Sequence, residues 1–488
     1  MPGPTTPPTD SPLDAVRRDG TSVSVERGDA LDLGRRMDGG VVLPGDDDYD
    51  TVRRVWNGMI DRGPAVIAQC ATSEDVGQAL AWARERDLPI SVRGGGHNAA
   101  GVALVDRGVV VDLAPMKDIE VLAGEGAARV RVGGGVTIGE LDAATQQHGL
   151  AVPLGVVTET GIAGLTLGGG FGWLRRLYGL SCDNLVSAEV VLADGRVVTA
   201  SEDENADLLW GLRGGGGNYG VVTSFEFLAH PLGPDVHFAV VFHAASDVAE
   251  GLRFYREWAD QAPDEISSMA VLWHAPEMDK IPTEHHGTPI LTFLAVHSGT
   301  PEEGAAALSP LQAHGSPIAD LSGATPWLEV QQFFDQDYPK WVRRYYWTSS
   351  YVTDLPDELV DRLVALNDQM PSHHSTIDVW QGGGASSRVA SDATAVGRRD
   401  AAFMLGIEAN WDDAEADEAN IEWARRVVAE SEPWATGARY ANFPGMFEEG
   451  EGPDFFGGTE DRARELKARY DPENVFDRNH NVTPAAAG

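Results

Sequence analysis

The sequence predicts an α+β chain of at least two domains, and three observations carry that prediction. Its 488 residues exceed what one hydrophobic core accommodates. Short alternating or β-branched runs are interleaved with helical patterns, so no single periodicity holds throughout. Four glycine clusters fall within about 130 residues, each at the end of a strand pattern or the start of a helical one, as backbone wrapped round an extended ligand requires.

Taken in order, residues 1–40 mix Pro, Thr, Gly and charge with little apolar periodicity and are expected to form a mobile tail, with the fold starting near Gly45. From Ala71 the pattern turns helical. Ser73 is a candidate cap, Glu74 and Asp75 suit a first turn, and Val76, Leu80 and Ala83 share a face. The helix leads into Ile90-Ser91-Val92, a half-buried strand pattern that runs through Arg93-Gly94-Gly95-Gly96 to His97 and Asn98. Three glycines expose backbone N–H groups that suit an anion such as a pyrophosphate. An imidazole at the end of that loop can reach whatever the phosphates anchor, which makes His97 a candidate nucleophile toward a bound cofactor.

Further β runs are expected at 108–113, 119–122 and 127–132, and the last enters Gly133-Gly134-Gly135 before a helix over 137–148 closed by Gly149. The third glycine cluster spans 161–172. Runs at 186–192 and 196–200 flank an Asp194-Gly195 hairpin turn, and the fourth cluster, 214–220, precedes a strand at 221–227. Farther along, 403–411 reads as a strand whose period of two puts Met404, Gly406, Glu408 and Asn410 on one face.

Composition limits the partners. Acidic residues number 75 against 37 basic ones, a net charge of −38, which argues against nucleic acid and anionic membranes. Only four of the 37 basic residues are lysines (Lys117, Lys280, Lys340, Lys467), leaving 33 arginines. Such a surface needs screening by salt and resembles the proteins of extreme halophiles. No apolar run approaches the ~20 residues that cross a bilayer, and no export signal is evident, so a soluble cytoplasmic protein is expected. Cys70 and Cys182 form no disulfide framework, and neither HExxH nor a Cys/His cluster points to a metal. No lysine follows a glycine-rich run as a P-loop requires, and the His97 loop lacks the GxGxxG dinucleotide fingerprint.

The residues 92–98, 161–172, 178–184, 214–223 and Asp471-Pro472-Glu473-Asn474-Val475-Phe476 together resemble the berberine-bridge-enzyme-like branch of the vanillyl-alcohol oxidase and p-cresol methylhydroxylase flavoproteins. The resemblance covers roughly 50–235 and a return at 433–482. It implies a two-part FAD-binding domain, 45–235 with 433–482, and an inserted substrate domain, 236–432, built on an antiparallel sheet flanked by helices. It places a covalent bond to the flavin 8α-methyl carbon on His97. Around the cofactor it places Val92, Arg93, Gly94, Gly95, Gly96, Asn98, Thr160, Gly161, Gly164, Gly168, Gly169, Gly172, Val222, Tyr440 and Asn442. A second bond, from cysteine in some members, falls on Val157 here, so a single link is expected. Cys182, 25 residues later, reads as a buried thiol.

The implied reaction moves a hydride from an alcohol, sugar or related C–H donor to flavin while a base takes a proton. The small-molecule substrate aside, the partner is oxygen or another electron acceptor. Thr160, near the size of valine at the position that sets oxygen access, favours an oxidase. A dehydrogenase and a non-catalytic flavin-binding redox sensor are the alternatives. Where several relatives carry a tyrosine base this chain has Phe443, so Glu408 is the first candidate base and Tyr345 the second. Trp273, Trp380 and Gln381 are candidate substrate-pocket residues.

Overall fold

Three sheets of four, five and eight strands carry the fold of the computed structural model, which describes residues 11–122, 127–446 and 455–486. The smallest is built on Val109–Asp112, whose four side chains are all buried, with Val66–Gln69 and Ile90–Arg93 parallel to it on either side and Gly40–Val42 antiparallel at one edge. Such a run of β-branched residues is what a strand covered on both faces needs. The helix Ser73–Glu85 connects two of these strands. Its cap is Thr72, whose hydroxyl accepts from the Asp75 amide at 3.2 Å, one residue before the expected Ser73. Ser73 instead bonds Glu189 and Thr223 of the neighbouring sheet.

That five-stranded sheet is antiparallel and includes the expected hairpin Leu185–Val191 with Val197–Ser201, turning at Gly195 with φ +85°. In the largest sheet the strands Asp235–Ala244, Pro289–His297, Ile266–His274, Thr376–Gln381, Phe403–Trp411 and Arg344–Val352 lie side by side, all antiparallel. Phe403, Leu405, Ile407, Ala409 and Trp411 pack beneath the helices Val248–Gln261, Asp357–Asn367 and Asp417–Ser431. Met404 and Glu408 consequently face the other way, toward the glycine loops.

Residues 11–40 correct the expectation of a mobile tail. Leu13–Val16 and Ser22–Val25 pair as a hairpin, Arg27–Arg36 is a helix, and Leu13, Ala15, Val25, Ala30 and Leu33 are buried with Val66 and Leu80. Strands of four residues are too short to show a period, although burial against an existing core suffices to order them. Residues 1–10 of that expected tail lie outside the described residues.

The C-terminal return is pinned by one of the four lysines. Lys467 has no exposed surface, and its Nζ donates to Asp471 Oδ2 at 2.7 Å, to the Asn218 carbonyl at 2.8 Å and to the Phe476 carbonyl at 3.0 Å. Asp471 also accepts from the Val475 and Phe476 amides at 2.9 Å. All three ammonium protons are therefore used, which is what makes a buried charge tolerable. Among the described residues no helix is long and apolar enough to cross a membrane.

Candidate active site

Arg93 closes its strand by donating through Nε and Nη2 to both oxygens of buried Asp112, at 2.9 and 2.6 Å, and through Nη1 to the Val52 carbonyl. The guanidinium expected at the cofactor is spent on anchoring the loop that follows. Gly94, Gly95 and Gly96 then run along a long cleft whose facing wall includes Thr160, Gly161, Gly164 and Gly168. Gly95 and Gly161 meet back to back, so that a Cβ on Gly95 would strike the Gly161 amide nitrogen, and one on Gly161 that of Gly95. Gly169 and Gly172 shape this wall from behind. Gly169 turns the chain at φ +113°, and Gly172 sits on the Leu154 carbonyl.

At the end of the first loop His97 lies on Trp56, ring centroids 4.1 Å apart, and Trp56 lies in turn on Tyr345 at 3.7 Å. Burial pushes the His97 imidazole down to about 3, so it is neutral near pH 7. Among the described residues its Nε2 has no hydrogen-bond partner. Val92, Asn98, Val157 and Val222 line the same cleft, and Gly216, Gly217, Arg478 and Asn479 line it as well. Cys182 sits outside it, with Sγ 4.0 Å from Arg399 Nη2, and burial raises its thiol pKa. Tyr440 and Asn442 complete a wall. The Tyr440 hydroxyl accepts from the Phe171 amide at 2.9 Å and from Asn442 Nδ2 at 3.0 Å. Phe443 lines the cleft with its ring against Trp347.

The large sheet supplies the roof. Its register sets Thr376 opposite Glu408 and Asp378 opposite Gly406, so Asp378 and Glu408 are diagonal neighbours on one face, beside Trp380 and Met404. Glu408 Oε2 accepts from the Tyr338 hydroxyl at 2.6 Å. Burial pushes the Asp378 carboxyl up to about 7 against the pull of Thr376, Glu408 and Trp380. Glu408 is raised well above the usual carboxylate range by burial and then by the charge of Asp378. The two carboxyls thus titrate as a pair, Glu408 keeping its proton the longer and Asp378 losing its own through about 7.

The other expected site residues are placed differently. The Tyr345 hydroxyl donates to the Pro339 carbonyl at 2.8 Å, so this side chain supports Trp56 and His97 from outside the cleft. Gln381 occupies the opposite face of its strand, its Nε2 donating to the Ala259 carbonyl at 2.6 Å and its Oε1 accepting from Ser268. Trp273 lines a second cavity that shares Phe334, Tyr338 and Asp378 with the cleft. Sequence reasoning missed Asp378 and Tyr338. An acid at the middle of Thr376-Ile377-Asp378-Val379-Trp380 was a usable signal, because period two sets it beside Trp380; Tyr338 lies in a loop with no pattern.

These features fit FAD. Close-approaching glycine backbone suits its pyrophosphate, and a neutral, buried imidazole with an open nitrogen suits attachment to an electrophilic methyl group. Comparison with known proteins agrees on the cofactor. The profile for an FAD binding domain matches residues 64–201, and that for berberine and berberine-like proteins matches 439–483. An uncharacterized FAD-linked oxidoreductase of Bacillus subtilis, YgaK, is 31% identical over 460 residues, covering 92% of this chain and 98% of that one. (R)-6-hydroxynicotine oxidase of Paenarthrobacter nicotinovorans is 39% identical over 196 residues, 40% of this chain and 42% of that one. Among solved structures, 6-hydroxy-D-nicotine oxidase of Arthrobacter nicotinovorans superposes with a TM-score of 0.81 at 26% identity, covering 92% of this chain and 98% of that one. Glucooligosaccharide oxidase of Acremonium strictum, whose FAD is described as 6-S-cysteinyl and 8α-N1-histidyl, shares the fold at a TM-score of 0.81 and 23% identity, covering 94% of this chain and 100% of that one.

Proposed function

Because the chain belongs to the FAD-linked oxidoreductases with a berberine-like C-terminal region, we propose that it is an oxidase with FAD bonded to His97 alone and the Asp378–Glu408 pair as proton acceptor. One observation carries this reading: His97 and the buried Asp378–Glu408 carboxyl pair line one glycine-walled cleft. When bound, FAD supplies the acceptor for the hydride that leaves the substrate carbon. Gly94–Gly96 and Gly161 hold its phosphates by backbone N–H groups, and Asn442 and Tyr440 fix the wall beside it. Val157 supports a single link, since its side chain offers no nucleophile. Of the carboxyl pair, Asp378 takes the substrate proton. Glu408, the base expected from the sequence, keeps its own proton and is held by Tyr338.

Thr160 lines the cleft with a side chain close to valine in size, which supports oxygen as the acceptor. The test is to photoreduce the holoenzyme without air and compare reoxidation by dissolved oxygen with reoxidation by ferricyanide. Comparable rates are expected; fast ferricyanide with slow oxygen would assign a dehydrogenase.

We further read the protein as one of a salt-rich cytoplasm, on its net charge of −38 and its four lysines. The Debye length grows from about 3 Å at 1 M salt to about 10 Å at 0.1 M, so self-repulsion strengthens on dilution. Tm should fall steadily as salt is removed, and an unchanged Tm in dilute buffer would contradict the reading.

A further inference from the structure

Arg175 is 1% exposed, and its guanidinium bonds only to backbone. Nε and Nη2 donate to the Gln381 carbonyl at 2.9 and 2.8 Å, Nη1 donates to the Gly172 carbonyl at 3.0 Å, and Nη2 also donates to the Ser268 carbonyl at 2.7 Å. Among the described residues no carboxylate pairs with it, and the ionisable groups that act on it are Tyr255 and Arg176. Burial raises the Tyr255 phenol further above its ordinary value, so that group brings no negative charge. Burial lowers the Arg175 guanidinium to about 9, which leaves it charged near pH 7. A buried cation without a counter-ion is costly, and neutral donors would hold three carbonyls at less cost. The hydrogen bonds alone do not account for a charge at this place.

Its surroundings do. The Arg175 Cζ stands 4.6 Å from the centroid of the Phe171 ring and 5.3 Å from that of Trp380. Both rings line the flavin cleft, Trp380 beside Asp378 on the roof and Phe171 in the wall that Tyr440 holds through the Phe171 amide. Arg175 does not line the cleft, so a cation lies behind two aromatic side chains that do. The next residue, Arg176, is placed otherwise, 3.9 Å from Asp264 and against Gly383 and Gly384.

We propose that Arg175 is a positioning residue whose charge, acting through the Phe171 and Trp380 rings, raises the reduction potential of the bound flavin. This rests on the flavin reading above and goes beyond it, to what sets the oxidising power of the cofactor. A hydride brings two electrons and one proton, so the oxidised ring, neutral beforehand, gains one negative charge. A cation behind the wall favours that product over the neutral ring, and the attraction weakens less across apolar side chains than across water. The opposing surface charge of −38 is screened within about 10 Å at 0.1 M salt.

The experiment measures the midpoint potential of the bound flavin against reference dyes during slow anaerobic reduction, in wild type, Arg175→Gln and Arg175→Lys. All three are read at about pH 6, to keep a buried lysine protonated. Glutamine retains donors for the carbonyls and removes the charge, whereas lysine retains the charge and loses the planar fork. Arg175→Gln should lower the two-electron equilibrium constant by about tenfold or more, a fall of about 30 mV or more, and Arg175→Lys by about threefold or less. An unchanged potential in Arg175→Gln, or an equal fall in both variants, overturns the inference and leaves the flavin reading standing. If Arg175→Gln fails to fold, the wild type decides. The N3 proton of its oxidised flavin should dissociate about tenfold more readily than that of free FAD, and a proton held as tightly as in free FAD contradicts the inference. A colourless protein would remove the flavin reading with it.

Discussion

Asp378→Asn slows reduction of the bound flavin by about 10²–10⁴-fold, the usual range for losing a positioned base, with FAD content unchanged. Asparagine matches the shape of Asp378 and can still accept the Glu408 proton, but it leaves the pair with no negative charge. Glu408→Gln behaves differently. The amide retains the bond from Tyr338 Oη and mimics the protonated acid, so the loss should be about tenfold or less. The pH profile follows with the same sign. Wild-type reduction should rise with pH through about 7, where Asp378 gives up its proton, and level off above it. Stopped-flow reduction without air, with whichever donor bleaches the wild type, reads both effects. A larger loss in Glu408→Gln than in Asp378→Asn would return the role of base to Glu408.

Gly95→Ala is expected to lower flavin content by about tenfold or more, through the backbone alone. The methyl group would meet the amide and Cα of Gly161, neither of which is the flexible end of a side chain, so the two loops must part. Parting them would open the wall proposed to hold the phosphates and would shift the loop that carries His97. Gly28→Ala, in the helix Arg27–Arg36 and away from the cleft, provides the control, because open space faces a Cβ there. The ratio of flavin to protein absorbance, with circular dichroism to confirm folding, measures the difference. Equal flavin in the two variants would show that the Gly95–Gly161 contact does not shape the cradle.

Much of this architecture could be read in the sequence wherever local chemistry is distinctive. Glycine clusters marked the cradle because no other residue lets two backbones touch as Gly95 and Gly161 do. Period two over Phe403–Trp411 separated the helix-facing residues from Met404 and Glu408, because that strand is covered on both sides by different material. The features that escaped depend on long-range pairing. Nothing near Arg93 announces Asp112, 19 residues away, and nothing in the sequence joins Tyr338 to Glu408 across 70 positions. Asp378 becomes the partner of Glu408 only through strand register. The hairpin and helix of residues 11–40 stayed hidden because they order by lying on a core built elsewhere.

The central claim, FAD bonded to this chain through His97, is tested most directly by mass spectrometry of a tryptic digest of the yellow protein. Cleavage after Arg93 and Arg107 yields the peptide 94–107, in which His97 is the only histidine. The account predicts that this peptide carries the mass of FAD less two hydrogen atoms, with fragment ions placing the addition on His97. An unmodified peptide together with free FAD in the supernatant would contradict it.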